Sequence, residues 1–342
     1  MARNFPQKIF ITGAAGYVGA MLADQFSKSP DIAEIICIDK NPIPDILKEN
    51  KKIFWITNDL AFNGWKRLVS QKKPTVVIHC AWQIRELYGQ RALQRKLNVI
   101  ASQNLFEFCF NEPSIKRLIH FSTISSYGAS EKNSLKKRFT ETDKLLETEY
   151  LYGAEKREVE RMLERAYLKS NRDTEVFVLR PTAIIGPRGL FSVAKKGLLY
   201  FLKNVLPVFP VATDSWCRQY IHEDDVTDIT AIFSFMPLSR EVKYRVYNIA
   251  PNDFVLAKDM ALIFDKKVVT VTPRVVKTVF ALAWHLTQGL IPTSAGGWKF
   301  FCYPIPVDGT KITKEFGYRY TYSSRDALTT TRGRYEPKNI KE

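Results

Sequence analysis

The sequence predicts an α/β protein built on a doubly wound parallel sheet, with a smaller C-terminal substrate-binding region. Three observations carry that prediction. Short β-branched runs alternate with longer helical patterns through the first half of the 342-residue chain. The first run ends in a glycine-rich turn, Gly13-Ala14-Ala15-Gly16-Tyr17-Val18-Gly19, and a Tyr152–Lys156 pair follows at helical spacing. Together they describe a Rossmann-type sheet with reactive groups on its edge.

In chain order, the predicted strands are Lys8–Thr12, Glu34–Asp39, Ile53–Thr57, Thr75–Cys80, Arg117–Ser122 and Glu175–Arg180, each a short apolar run. Met21–Phe26 opens the helix after the glycine turn. Leu93, Leu97, Ile100, Ala101, Leu105 and Phe108 mark one face of a second helix. Residues 152–168 form a third, with Val159, Met162, Leu163 and Ala166 as its buried stripe. Beyond Pro181 the alternation is lost, and Pro and aromatic residues become denser. Residues 1–180 therefore read as a dinucleotide-binding domain and 181–331 as a smaller substrate-binding region. The polar tail 332–342, with Gly333 and Pro337, reads as disordered. Val246–Ala250 is the one late run able to return to the main sheet.

Composition narrows the function classes. Hydrophobic content of 45% with 25% charged residues fits a soluble globular protein. The five cysteines are far apart and form no CxxC pair, so they read as reduced core residues, and no metal is expected. The start runs directly into the first strand, which gives a cytoplasmic expectation. The 51 bases exceed the 35 acids to give +16, but they are scattered in pairs such as Lys72-Lys73 and Lys195-Lys196. No run reads as a nucleic-acid arm; the charge suits a solvated surface or an anionic substrate. Residues 274–292 are broadly apolar but interrupted by Lys277, His285 and Gln288, and too short to span a bilayer. A packed helix or lid is the leading expectation, and peripheral membrane contact is the alternative.

Small residues are needed where backbone N–H groups approach a pyrophosphate at a helix N-terminus. Gly13 suits the tight turn, Gly16 the close approach and Gly19 the packing of helix on strand. The spacing is G-x-x-G-x-x-G. Asp39 ends the second strand, where an acid accepts from the adenosine ribose and repels a 2′-phosphate, so NAD is expected over NADP. Asp59 follows the third strand and faces the adenine edge. A phenol with a pKa of about 10 is a poor base, but a Lys ammonium one turn away favours the phenolate. Thr123 lies in the hydroxyl-rich run after the fifth strand, at the edge where such sheets bind ligands. The acids in His222-Glu223-Asp224-Asp225 read as the dipole-stabilised start of a helix.

These residues resemble the extended short-chain dehydrogenase/reductases, the NAD-dependent epimerase/dehydratase family. The likeness runs through the glycine turn, Asp39, Asp59-Leu60, His79-Cys80-Ala81, Asn98, Thr123, Tyr127-Gly128 and Tyr152/Lys156. It continues through Arg180-Pro181-Thr182, Gly186-Pro187, the stretch Arg218–Val226 and Tyr247–Ala250. The resemblance implies that Thr123, Tyr152 and Lys156 are catalytic, Tyr152 as acid/base and Lys156 binding ribose and lowering the tyrosine pKa. It implies NAD contacts from Gly13, Ala15, Gly16, Tyr17, Val18, Gly19, Asp39, Asp59, Leu60, Cys80, Ala81, Asn98, Tyr152, Lys156 and Pro181. Thr123, Thr182 and Arg218 are the implied substrate residues, Arg218 for substrate phosphates, and a homodimer on the two long helices is implied too.

Departures narrow the reaction. Family 4,6-dehydratases carry Asp-Glu after the catalytic Thr, where this chain has Ile124-Ser125. Thr182 stands where many nucleotide-sugar members have an Asn, and Trp82 where small residues are common. The expectation is an NAD-dependent epimerase/oxidoreductase of a nucleotide sugar. The alternative is a 3β-hydroxysteroid dehydrogenase-like enzyme of a lipid-like alcohol, and a non-catalytic NAD sensor is the third reading.

Overall fold

The computed structural model describes residues 7–170, 173–192, 197–239 and 243–335. Six strands follow one another in the first half: β1 (Gln7–Thr12), β2 (Ile32–Asp39), β3 (Ile53–Thr57), β4 (Val76–His79), β5 (Arg117–Phe121) and β6 (Glu175–Pro181). The run read as returning late does so, as Tyr244–Ile249 beside β6. All pairings are parallel, in the order Tyr244–Ile249, β6, β5, β4, β1, β2, β3. Alternate side chains of each strand enter opposite layers. Ile9 and Ile11 join one core with Leu22, Phe177 and Phe233. Phe10 joins the other with Trp65, Leu105 and Leu163.

This order places the strand ends functionally. Along the carboxyl edge lie Pro181, Thr123, Cys80, Gly13, Asp39 and Asp59, each at or just after the end of its strand. The edge therefore runs from the predicted reactive groups, past the glycine turn, to the predicted adenosine end.

The second predicted helix departs from its expected phase. Arg91–Arg95 and Ala101–Asn111 are α-helical, but Lys96–Ile100 between them is a π turn. The wider turn slips the register. Leu93 and Ile100 point to solvent, while Gln94, Asn98 and Ser102 are buried. The third helix, Leu151–Lys169, buries Val159 and Leu163 as expected, with Met162 and Ala166 partly buried beside them.

Residues after 181 serve two layers. The helix Glu223–Phe235 sends Val226, Ile229 and Phe233 into the core under the main sheet. A separate cluster including Phe209, Trp216, Met260, Phe280 and Phe301 packs the C-terminal lobe. The tail expectation needs correction for its described part. Tyr335 donates its hydroxyl to the Met21 carbonyl at 2.9 Å, and Arg334 pairs with Asp228 at 2.6 Å. Its aromatic ring and guanidinium find partners that a polar composition does not announce. Residues 336–342 and the Lys195-Lys196 pair lie outside the described residues. The five cysteines are free, and all but Cys80 are fully buried.

Candidate active site

The turn after β1 is held by its own backbone. Gly13 and Ala14 donate to the Ile38 carbonyl at 2.9 and 3.3 Å, and Gly16 donates to Gly13 at 3.0 Å. Gly13 has φ +69° and lies so near the post-β4 turn that a Cβ would sit 2.5 Å from the Ala81 nitrogen. A Cβ on Gly19 would meet the Gly13 carbonyl oxygen at 2.2 Å. Gly16 caps the helix Tyr17–Ser27 with no side-chain hydrogen bond. The first-turn N–H groups are thus left to a ligand, and a diphosphate fits that cradle.

Asp39 is held by two backbone N–H groups. One carboxylate oxygen accepts from Ala15 N–H at 3.0 Å and the other from Asn41 N–H at 2.9 Å. It ties the end of β2 to the glycine turn. Asp39→Ala is expected to weaken NAD binding and shift the NAD/NADP affinity ratio toward NADP, because the charge that repels a 2′-phosphate is gone. Titrating both nucleotides into the variant checks this; an unchanged ratio contradicts it. Asp59 accepts from Ala61 N–H at 2.9 Å beside buried Leu60.

Tyr17 stands on the wall of the cavity beside the glycine turn. Its hydroxyl donates to Glu223, whose carboxylate also accepts from the N–H groups of Arg188 and Gly189 at 3.0 and 3.1 Å. Burial first, and Glu223 second, hold the Tyr17 phenol far above its usual pKa. The glycine turn and the C-terminal lobe are joined through this acid. Asp225 accepts from Tyr318 and Thr321, and His222 caps the helix start by accepting from Asp224 N–H. Among the described residues no group of His, Cys, Asp and Glu could hold a metal ion.

Asn98 is held by its neighbours. It is fully buried, accepting from Gln83 N–H at 2.7 Å and donating to the Gln83 carbonyl and to Glu155 at 3.1 and 2.7 Å. It fixes the loop after β4 against the helix Leu151–Lys169 and does not line the cavity. The π turn brings it there.

The reactive groups converge. A cavity of ≈ 560 Å³ is lined by Gly13, Thr123, Tyr152, Pro181, Thr182 and Arg218, among others. Thr123 caps the short 3-10 turn Ile124–Tyr127, its Oγ1 accepting from Ser125 N–H at 3.2 Å. Tyr152 sits in the first turn of its helix with its ring 5.9 Å from that of Tyr150. Burial raises the Tyr152 pKa, and the Thr123 hydroxyl acts in the opposite sense. Lys156 is buried, donating to the Phe121 carbonyl at 2.5 Å with Nζ 3.7 Å from the Trp82 ring. Glu160, one turn on, accepts from Ser122 at 2.7 Å and pairs with Arg180, so this helix is pinned to β5 and β6.

Burial lowers Lys156 to about 7, with Cys80 and Glu160 opposing. A lysine unfolds to an ordinary value of about 10.4. Between these values the unfolded chain binds the extra proton, so stability rises with pH across that window. Lys156→Met is expected to flatten this rise in the melting temperature of the nucleotide-free protein. A parallel rise in both proteins contradicts it.

Arg218 donates to the carbonyls of Cys217, Phe300 and Phe301 at 2.7, 2.6 and 2.7 Å, and its guanidinium lies over the Trp216 ring. Burial lowers its pKa, and no carboxylate among the described residues pairs with it. Its charge is therefore oriented by neutral carbonyls on the cavity wall. Thr182 is less available, because its hydroxyl donates to the Gln219 carbonyl at 2.6 Å.

Glu86, which the sequence alone does not single out, is the one carboxylate among the described residues lining the cavity. Burial raises its pKa, with Ser294 and Arg91 opposing. A single Glu in a loop carries no local signal; its place after β4, on the ligand edge, was the available clue. Tyr150 and the aromatic wall of Phe254, Phe280, Trp284 and Phe300 also come from distant segments.

The sheet order, glycine cradle and Tyr–Lys helix define a dinucleotide-binding α/β enzyme. Residues 9–250 match the model of the NAD dependent epimerase/dehydratase family, and the chain belongs to that family. NAD is accordingly its cofactor. A dTDP-D-glucose 4,6-dehydratase of Dictyostelium discoideum is 26% identical over 284 residues, 78% of this chain and 63% of the relative. The chain thus spans less than two thirds of that relative's length. Among solved structures, a UDP-glucose 4-epimerase of Thermotoga maritima with UDP-glucose has a TM-score of 0.69 at 20% identity, over 94% of this chain and 96% of the other. A UDP-glucuronic acid 4-epimerase of Bacillus cereus with UDP-glucuronic acid and NAD has a TM-score of 0.68 at 20% identity, over the same shares. At that identity the structures speak for the fold.

Proposed function

We propose that the protein is an NAD-dependent epimerase that interconverts nucleotide sugars through reversible oxidation of a secondary alcohol. One observation carries the reading: a single cavity brings the glycine turn, Thr123 and Tyr152 together with Arg218, a cation without an acidic partner among the described residues. A substrate diphosphate answers that charge. Names of relatives point the same way, since they act on or hold dTDP- and UDP-linked sugars.

Bound NAD supplies the hydride acceptor and a positive ring. Tyr152 takes the proton of the substrate hydroxyl as the same carbon gives up its hydride, leaving a ketone. With the hydride returned to the other face of that carbon, Tyr152 would give the proton back and no net NADH would form. Thr123 holds the substrate oxygen while its charge changes. Lys156, when protonated, sets a positive charge one turn from the phenolate. Ile124 and Ser125 put no carboxylate beside Thr123, which supports epimerisation over loss of water.

Arg218→Gln is expected to raise KM for a UDP-sugar about tenfold to hundredfold, with kcat little changed, as for a lost charged hydrogen bond. Steady-state kinetics with UDP-glucose and UDP-glucuronic acid checks this; an unchanged KM removes the diphosphate from Arg218. The aromatic wall of Phe254, Phe280, Trp284 and Phe300 favours a second reading, a dehydrogenase/reductase of a lipid-like alcohol. For that enzyme the arginine change leaves KM untouched and each turnover yields or consumes NADH.

A further inference from the structure

The helix Pro273–Leu286 has two apolar faces. Val276, Phe280 and Trp284 are buried, and the last two form part of the cavity wall. On another side Val275, Val279, Leu282 and Leu286 are spaced four, three and four residues apart. At 3.6 residues per turn that spacing draws one stripe along the helix. Their exposures are 51%, 55%, 55% and 81%, and Leu290 just beyond is 80% exposed. A helix serving only as a lid needs its inner face alone. The outer stripe is unpartnered among the described residues, and exposed aliphatic side chains at this density mark a contact surface.

The charge around it selects the partner. From Lys266 to Val307 the chain carries five bases, Lys266, Lys267, Arg274, Lys277 and Lys299, and no acid. The whole chain stands at +16. Lys299 pairs with Glu149, and a second copy would set the other four bases against their own kind. An anionic bilayer offers hydrocarbon for the stripe and negative headgroups for the bases. Among the described residues no helix is long and apolar enough to cross a membrane, so the contact is one of lying on the surface.

The position relative to the cavity gives the contact a role. Tyr88, in the loop after β4, packs its ring 5.5 Å from Trp284 and meets His285 Nδ1 at 3.2 Å. Ile84 of the same loop is 59% exposed and lines the cavity. Loop and helix together bound one side of the cavity.

We propose that the outer stripe of the helix Pro273–Leu286 docks on the surface of an anionic lipid bilayer, holding the enzyme beside a membrane. Co-sedimentation tests it on the full chain, with phosphatidylcholine vesicles carrying phosphatidylserine against pure phosphatidylcholine vesicles. The chain is expected to bind the anionic vesicles, less at high salt. The double variant Leu282→Gln/Leu286→Gln should lower the bound fraction about tenfold or more. A second variant, Lys267→Glu/Arg274→Glu, leaves the apolar residues intact and should weaken binding to the anionic vesicles, keeping the test open if the first folds poorly. Absence of binding at low salt, or binding by both variants as strong as that of the unaltered chain, overturns the proposal. So does self-association of the unaltered chain, by sedimentation velocity, that the leucine changes abolish, because the stripe then belongs to a second copy.

Discussion

The Tyr152→Phe variant is expected to keep its NAD and lose about 10²–10⁴ in kcat, the range for a missing acid/base group. Only the phenolic oxygen is removed. The ring keeps its place beside Tyr150 in the first turn of its helix, and the glycine turn proposed to hold NAD follows a separate strand. Nucleotide content per chain and the melting temperature should match the unaltered protein, while turnover collapses. A variant that turns over at the original rate would remove Tyr152 from proton transfer. If turnover is lost together with bound NAD, Tyr152 acts in binding and its catalytic role is contradicted.

Arg117→Leu is expected to lower folding stability by about 3–5 kcal/mol, the cost of leaving one member of a buried ion pair alone. Arg117 and Glu175 are each 2% exposed and join the starts of β5 and β6. The guanidinium also donates to the carbonyls of Phe233, Ser234 and Met236 at 2.7, 3.1 and 2.9 Å, closing the end of the helix Glu223–Phe235. That helix begins with the Glu223 that receives Tyr17. One arginine thus connects the strand that delivers Thr123 with the helix that steadies the glycine turn. Urea denaturation measures the loss. In a cycle with Glu175→Leu, the double variant should be less destabilised than the two single changes summed, since no lone charge remains. Strict additivity contradicts the pairing.

Where the sequence was legible, the signal was local. Apolar runs of strand length and glycines at a turn are written within a few residues, so the six first strands and the cradle could be read directly. The Tyr152–Lys156 spacing is local too. What stayed hidden depends on registers and distant partners. Periodicity over Leu93–Phe108 assumes a uniform helix, and the π turn at Lys96–Ile100 breaks that assumption, exposing Leu93 and Ile100 and burying Asn98. The contact of Tyr17 with Glu223 spans 206 positions, which no window sees. Arg218 was recognised by its place in a motif, but its carbonyl partners come from Phe300 and Phe301. Tyr335 was read as tail because its neighbours are polar, yet it reaches back to Met21.

The proposed reaction is epimerisation at a nucleotide sugar without net redox change. The most direct measurement is proton NMR of UDP-glucose and UDP-glucuronic acid incubated with the purified protein, with NADH absorbance followed in the same sample. One of these sugars is expected to approach an equilibrium of two epimers while NADH stays constant. Both sugars remaining unchanged, or product forming only as NADH accumulates, would contradict it.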